Sequence, residues 1–271
     1  MASGAAADNF KQVDKFLSWD CGPRLLVMGL FPNVKEISES MACLNAVDRH
    51  LALRFSDVDT LCLVVGDGVV PRTAALLAMR TKWQRVISVD PMLDVFQGQD
   101  GCRGSADKAP PVYARHAAAS ESSAERRRLQ AEQLKQVQRL EMLSLPIESV
   151  VLDVAPSCTR VVVILPHAHV VPDLALGALR LDEDAISGGQ LPTISVVQLP
   201  CCKYVKHNTV CGATPDAEYL DECICGRTHG KRTIRVWADV AAAAVSLRAV
   251  RLGDRAPLSS RLLSSQARGR K

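Results

Sequence analysis

Residues 60–71 read Thr-Leu-Cys-Leu-Val-Val-Gly-Asp-Gly-Val-Val-Pro, and this stretch decides the fold. Its first half is an apolar run that stops at Gly66, which is the pattern of a β-strand buried on both faces. Helix-forming residues follow Pro71 over 72–80, and proline at the start of a helix forfeits no hydrogen bond. The stretch therefore predicts a buried strand, a glycine turn and a helix in series.

A second strand is predicted directly after this helix, over residues 85–89, and it ends at Asp90-Pro91. Strand, helix and strand form a βαβ unit, whose crossover is almost always right-handed. Three later strands are predicted, at 160–165, 193–199 and, with alternating character, 232–237. The predicted fold class is α/β: a Rossmann-like, doubly wound, mostly parallel sheet with a late antiparallel strand and N-terminal helices.

The N-terminal segment, residues 9–55, places apolar side chains three and four positions apart, which predicts helices with a break at Cys21-Gly22-Pro23. We therefore expect an N-terminal helical extension over 1–56 and one Rossmann-like domain over 57–250, with a flexible insertion at about 97–125. The final residues, 251–271, are expected to form a basic, disordered tail.

Other parts of the chain have weaker periodicity. Residues 97–125 are rich in Gly, Ala, Ser, Asp and Pro, and the charged stretch 125–139 follows, so we expect an exposed, flexible insertion there. Segments 137–143 and 147–154 fit a strand or a helix equally well. Residues 174–181 predict a helix.

Composition narrows the class of protein. The chain has 271 residues, of which 48% are apolar and only 4% aromatic, as suits buried parallel strands covered by helices. Its longest apolar runs are about five residues, far below the ~20 that span a bilayer, and the N-terminus lacks a signal-peptide pattern. We expect no membrane association and a cytoplasmic or nuclear location, where the ten cysteines would be reduced thiols.

The formal charge is only +4, but the C-terminal tail is basic and could contact a polyanion such as RNA. A solvated tail without a partner is the alternative. The tail holds one acidic residue, Asp254, against Arg251, Arg255, Arg261, Arg268, Arg270 and Lys271.

The turn Gly66-Asp67-Gly68 is the predicted ligand-binding loop. Glycine tolerates positive φ and lets backbone N–H groups approach a ligand closely. Asp90 stands at the end of the next strand, where a carboxylate can accept hydrogen bonds from the 2′ and 3′ hydroxyls of an adenosine ribose. Loop and carboxylate together predict a nucleoside cofactor; a Rossmann-like scaffold without a ligand is the alternative.

Two other nucleotide-binding classes fit less well. In the Gly-x-Gly-x-x-Gly motif of nicotinamide enzymes, the third glycine would fall where this chain has Pro71. A phosphate-binding P-loop is excluded, because no Gly-Lys-Ser/Thr follows the glycines.

These residues resemble the class I S-adenosylmethionine-dependent methyltransferases, in which a glycine loop and an acidic residue after the next strand hold the cofactor. The resemblance covers about 57–95 and 158–205. Pro166-His167-Ala168-His169 and Pro200-Cys201-Cys202 are similar to the branch with a Pro-Cys-Cys motif after strand five, which includes tRNA ribose methyltransferases. The chain departs from that branch at His169, where its members usually carry a Cys-Gly pair.

The resemblance implies a set of site residues. S-adenosylmethionine would bind Val65, Gly66, Asp67, Gly68, Asp90, Pro91 and Pro166. An RNA acceptor would contact Cys201, Cys202, Lys203, Lys231 and Arg232, of which the last two belong to the basic segment 227–232. A solvated turn is the alternative for that segment.

His167 and His169 are the candidate general bases, because they follow a strand at the edge where open α/β sheets bind ligands. A histidine that only bonds a backbone carbonyl is the alternative for each. Metal binding is not expected: zinc ligands are usually paired with two to four residues between them, whereas Cys201-Cys202 are adjacent and Cys223-x-Cys225 are separated by one.

The leading hypothesis is therefore an S-adenosylmethionine-dependent methyltransferase acting on RNA or, less readily, on protein. A non-catalytic Rossmann-like binding or scaffold subunit is the alternative from another class. A nicotinamide oxidoreductase is the third possibility.

Overall fold

A seven-stranded sheet dominates the computed structural model, which describes residues 10–93, 121–167, 169–181, 191–200, 208–226 and 232–241. The strands in chain order are β1 Thr60–Val65, β2 Arg85–Val89, β3 Leu140–Leu143, β4 Leu152–Asp153, β5 Arg160–Leu165, β6 Leu179–Arg180, β7 Thr193–Gln198, β8 Ala217–Leu220 and β9 Thr233–Val240. The helices are α1 Lys11–Leu17, α2 Cys21–Val27, α3 Val34–His50, α4 Arg72–Arg80, α5 Glu121–Lys135 and α6 Pro172–Leu176.

The strand order is β3-β2-β1-β5-β7-β9-β8, while β4 and β6 form a separate two-stranded sheet. The first five strands of the large sheet, taken in chain order, follow the 3-2-1-4-5 order of a Rossmann sheet. They are parallel to one another, and β9 is antiparallel to both β7 and β8. The predicted Rossmann-like fold with a late antiparallel strand is confirmed.

The sheet has an apolar core on each face because its central strands are buried on both sides. In β1, Cys62 and Val64 pack into the cluster that contains Met41 of α3 and Leu76 of α4. Leu61, Leu63 and Val65 pack into the opposite cluster, together with Leu176 of α6. Burying a side chain of this size contributes about 1.5–3 kcal/mol, so these two clusters hold the helices on the sheet.

The N-terminal helices share this core with the sheet. Phe16 of α1, Leu25 of α2 and Leu44 of α3 are fully buried in the same cluster as Val64. Residues 10–56, the described part of the expected extension, therefore pack directly on the Rossmann-like sheet, and α3 also contacts β7 and β9.

The predicted helix break at Cys21-Gly22-Pro23 is wrong, because these residues begin α2. Pro23 lies in the first turn, where its missing N–H has no helical partner to lose. Gly22 is required by the contact between α1 and α2, since a Cβ atom there would lie 2.1 Å from the carbonyl oxygen of Phe16. The break falls instead between the end of α1 and Cys21.

The two ambiguous segments are resolved as short elements. Residues 137–143 contain β3, and residues 147–154 contain a turn of 3₁₀-helix at Ile147–Ser149 followed by β4. The helix predicted over 174–181 is shorter and earlier, as α6, because its last part pairs with β4 as β6. Strand β8 was not predicted.

The charged stretch before β3 forms helix α5, which the sequence placed in an exposed insertion. Leu134 is fully buried against the first cluster, and Ala131 is also buried. Residues 97–120 of the expected insertion and the tail 251–271 lie outside the described residues. No helix in the described ranges has the length and apolar character of a membrane span.

Candidate functional site

The glycine loop connects β1 to α4 at the carboxyl edge of the parallel strands. Gly66 and Gly68 both adopt left-handed backbone, with φ of 80° and 83°, which other residues adopt only with strain. The N–H of Gly66 donates to the carbonyl of Val89 at 3.1 Å, so the loop is joined to the end of β2. The predicted turn therefore has the geometry that requires glycine at both positions.

Asp67, between the two glycines, turns its side chain inward and binds the start of α4. Its Oδ1 accepts the N–H of Thr73 at 3.0 Å, and its Oδ2 accepts the N–H of Ala74 at 2.9 Å. Both amides belong to the first helical turn, where N–H groups have no partner within the helix. The side chain of Asp67 thus holds the start of α4, a role that the sequence pattern could not distinguish from ligand binding.

Burial changes the protonation of this carboxyl. Loss of hydration raises the pKa of Asp67 from its usual 3.8 to about 6, although the two helix amides act in the opposite direction. The carboxylate is therefore held at the helix start at some cost in solvation, and the arrangement depends on pH.

Asp90 lies beside the loop, as predicted, because β1 and β2 are adjacent and parallel. One carboxylate oxygen accepts the N–H of Gly68 at 2.9 Å, and the other accepts the N–H of Met92 at 2.8 Å. A carboxylate offers about four acceptor positions, so two remain after these bonds. Two remaining positions are what the vicinal hydroxyls of a ribose require.

Helix α3 lies on the other side of the loop, where Arg72 of α4 contacts it and the residue Leu30 that precedes it. The Nε of Arg72 donates to the carbonyl of Leu30 at 2.8 Å, and its Nη1 lies 3.5 Å from Oε2 of Glu36. The hydroxyls of Ser40 and Thr73 are also 2.9 Å apart, which joins α3 to the start of α4. These polar contacts fix α3 against the loop.

Sequence reasoning missed the contribution of α3. Asn33 caps this helix by accepting the N–H of Glu36 at 3.1 Å, and an Asn three residues before a Glu is a recognisable helix start. That pattern could have placed Glu36 and Glu39 in the first two turns. Their position beside the glycine loop depends on tertiary packing and could not have been inferred.

A small pocket of about 20 Å³ lies where these elements meet. It is lined by Gly66 and Asp67 from the loop, Glu36 and Glu39 from α3, and His167 from the segment after β5. Its volume corresponds to about one water molecule. The structure thus brings the predicted loop and one predicted catalytic histidine together, in a pocket that must widen to hold a nucleoside.

The two candidate bases are in contact with each other. The rings of His167 and His169 pack edge to face, with centroids 5.6 Å apart. His167 is half-buried at the pocket, whereas His169 is exposed. His167 is therefore the better placed of the two to reach a ligand beside Gly66.

The remaining predicted residues are placed as follows. Val65 is buried at the end of β1, Pro166 lines the small pocket, and Pro91 is exposed after β2. Arg232 precedes β9, three strands away from β1 in the sheet, and donates to the carbonyl of Glu222 at 3.3 Å. Cys201, Cys202, Lys203 and Lys231 lie outside the described residues.

No group of three metal-ligating side chains is close enough to hold an ion within the part of the chain that the structure describes. Cys223 and Cys225, one of the two cysteine pairs considered as ligands, lie in that part, and neither forms a disulfide.

No protein-family model matches the chain, and a search of curated proteins finds no match. Among solved structures, the fold is similar to a mutant of MtNAS, with a TM-score of 0.35 and 14% identity over 85% of this chain and 69% of that one.

It is also similar to phosphoethanolamine N-methyltransferase 1 of Haemonchus contortus in complex with phosphoethanolamine and S-adenosylhomocysteine. That match has a TM-score of 0.35 and 10% identity, and it covers 92% of this chain but 54% of the other. Likeness at this level does not bear on the ligand or the substrate of the present chain.

The pKa of Asp67 gives a test of the loop. Because folding raises this pKa, the carboxyl stabilises the fold fully below about pH 3.8, and that contribution is lost as the pH rises through about 6. Relative to Asp67→Asn, the free energy of unfolding of the wild type should therefore fall by about 1–3 kcal/mol between pH 4 and pH 6.5. Urea denaturation across this range measures the difference.

The matched control is Asp57→Asn, which removes a half-buried carboxylate that also accepts a backbone amide, that of Arg54 at 3.0 Å. Parallel stability curves for wild type and Asp67→Asn would show that Asp67 is not the buried, titrating cap described above.

Proposed function

We propose that the chain is an S-adenosylmethionine-dependent methyltransferase whose cofactor binds at the carboxyl edge of β1 and β2. The observation that carries the proposal is the hydrogen bond from Gly68 to Asp90, which places beside a glycine loop a carboxylate that uses two of its about four acceptor positions on backbone amides. Ligands of open α/β sheets bind at this edge. The Rossmann-like order with a late antiparallel strand is the architecture that the sequence resemblance implies.

The proposed cofactor contacts follow from this arrangement. Asp90 would accept the ribose hydroxyls, and backbone groups of Val65, Gly66, Asp67 and Gly68 would line the adenosyl moiety, with Pro91 and Pro166 as neighbours. The sulfonium of the cofactor supplies the methyl group. Since the small pocket has room for about one water, binding requires movement of the Arg72 or Glu36 side chain that borders it.

The protein's part in such a transfer is alignment and proton removal. We propose His167 as the general base, because it shares a pocket with Gly66, and His169 as its neighbour or substitute. The imidazole would take the proton of an acceptor hydroxyl or amine while the methyl group is transferred, leaving S-adenosylhomocysteine.

RNA is the proposed acceptor. Support comes from the resemblance around His167 and Cys201-Cys202 to tRNA ribose methyltransferases, and from the basic tail, which could release counterions on binding phosphates. Lys203, Lys231 and Arg232 are the proposed phosphate contacts. A cytoplasmic or nuclear location is part of the same proposal.

A non-catalytic binding or scaffold module is the second candidate. Two observations favour it: both oxygens of Asp90 already accept backbone amides, and the pocket at Gly66 measures only about 20 Å³. A Rossmann-like module that has lost its ligand would have such a closed edge. Ligand binding and turnover, measured separately, distinguish the two candidates.

Ligand binding is tested by melting temperature. S-adenosylhomocysteine should raise it by mass action, whereas NAD and ATP should not. Asp90→Ala should weaken S-adenosylhomocysteine binding by about 1.5–3 kcal/mol through loss of charge-assisted hydrogen bonds. Asp153→Ala, which removes an exposed carboxylate of β4, is the control. Equal affinity of wild type and Asp90→Ala would remove Asp90 from the site.

Turnover is tested by transfer of a radiolabelled methyl group to total RNA and to total protein from one cell extract. Label should enter RNA, and His167→Ala should lower the rate by roughly 10²–10⁴-fold while the melting shift with S-adenosylhomocysteine is kept. Label in protein alone would contradict the RNA acceptor. Label in neither, with intact ligand binding, would favour the non-catalytic module.

A further inference from the structure

Gln198 is a buried side chain whose polar atoms lack partners. It is the last residue of β7, is 1% exposed, and neither its amide oxygen nor its amide nitrogen forms a hydrogen bond within the part of the chain that the structure describes. Buried polar side chains nearly always have a partner, and a carboxamide offers two donors and one acceptor atom. A buried carboxamide of this kind at the end of a strand points to a ligand or a water that completes its hydrogen bonds.

Gln198 lies at the carboxyl edge of the parallel strands, two strands from β1, on the face opposite to the one that carries α3 and the small pocket. It pairs in register with Leu165, the last residue of β5, and two residues further along lies His167. On the other side it pairs with Arg235 of β9. Because register partners project from the same face of a sheet, Gln198 and Arg235 are neighbours on the face that α6 covers at β5.

Arg235 adds a second buried polar group at the same place. It is 4% exposed, and its Nε lies 3.1 Å from Oε2 of Glu218 on β8. A guanidinium plane packs readily against a flat ring, and it supplies positive charge near phosphates. The end of β7 thus combines a neutral donor and acceptor pair with a fixed planar cation.

We infer that the carboxamide of Gln198 recognises the edge of a nucleobase in the methyl acceptor. Its oxygen would accept from a base N–H group while its nitrogen donates to a neighbouring ring nitrogen or carbonyl, the two-point pairing by which glutamine reads bases. A neutral amide is poorly suited to phosphate, which favours charged donors. This inference rests on the proposed function, because it assigns a subsite to the same acceptor.

The experiment separates base recognition from phosphate binding. Phosphate contacts hold any sequence, whereas base contacts discriminate among sequences. Fluorescence anisotropy measures the affinity of the full chain for four homopolymeric oligoribonucleotides of equal length. The ratios of these affinities give the discrimination among bases directly. S-adenosylhomocysteine melting shifts on the same samples report the cofactor site.

Gln198→Met is the main variant, since methionine is similar in size and has no hydrogen-bonding amide. We expect the wild type to prefer one homopolymer by roughly 5- to 100-fold and Gln198→Met to lose most of that preference. Gln12→Met is the matched control: Gln12 is 4% exposed in α1, and its Oε1 also lacks a partner, but it lies outside the sheet. If Gln198→Met fails to fold, Gln198→Glu serves, because it keeps the size of the side chain and replaces the amide donor with a carboxylate oxygen.

Loss of preference in Gln198→Met, with an unchanged melting shift and an unaffected Gln12→Met, supports the inference. Retained preference in Gln198→Met overturns it and leaves an internal water as the partner of the amide. A wild type without any preference also overturns it. A missing S-adenosylhomocysteine shift contradicts the proposed cofactor instead, and a preference that depends on Gln198 would still support base recognition.

Discussion

The buried carboxylate of Asp67 is the interaction on which the edge of this sheet depends. By accepting two amides of the first turn of α4, it fixes the direction in which the helix leaves β1. That direction requires left-handed backbone at Gly66 and Gly68 on either side of it. With the loop so held, the N–H of Gly68 meets the carboxylate of Asp90, and the ends of β1 and β2 become one structural unit.

The parallel strands β1, β5 and β7 could be predicted to within one residue because a strand covered on both faces is a mostly apolar run. Short elements at the edge of the sheet could not be predicted in this way. Strand β8 has four residues with only partial burial, and it exists because β9 pairs with it. The position of Asp90 followed from chain order alone, since sequential parallel strands end at the same edge.

The roles of individual side chains were harder to predict from the sequence. Asp67 looked like a ligand-binding residue because its neighbours are glycines, but the positive φ values turn its carboxylate toward the helix. Gln198 is one of three polar residues in β7, and its lack of partners among the described residues is visible only once its neighbours are known. Both cases depend on tertiary contacts that no local pattern encodes.

The central claim is that an adenosyl group binds with its ribose on Asp90. A crystal structure of the protein grown with S-adenosylhomocysteine tests it most directly. The account predicts electron density beside the glycine loop, with both ribose hydroxyls within about 2.5–3.0 Å of the Asp90 carboxylate, typical of O–H···O hydrogen bonds. Ligand density at another surface, or a saturated crystal with only backbone amides on Asp90, would contradict it.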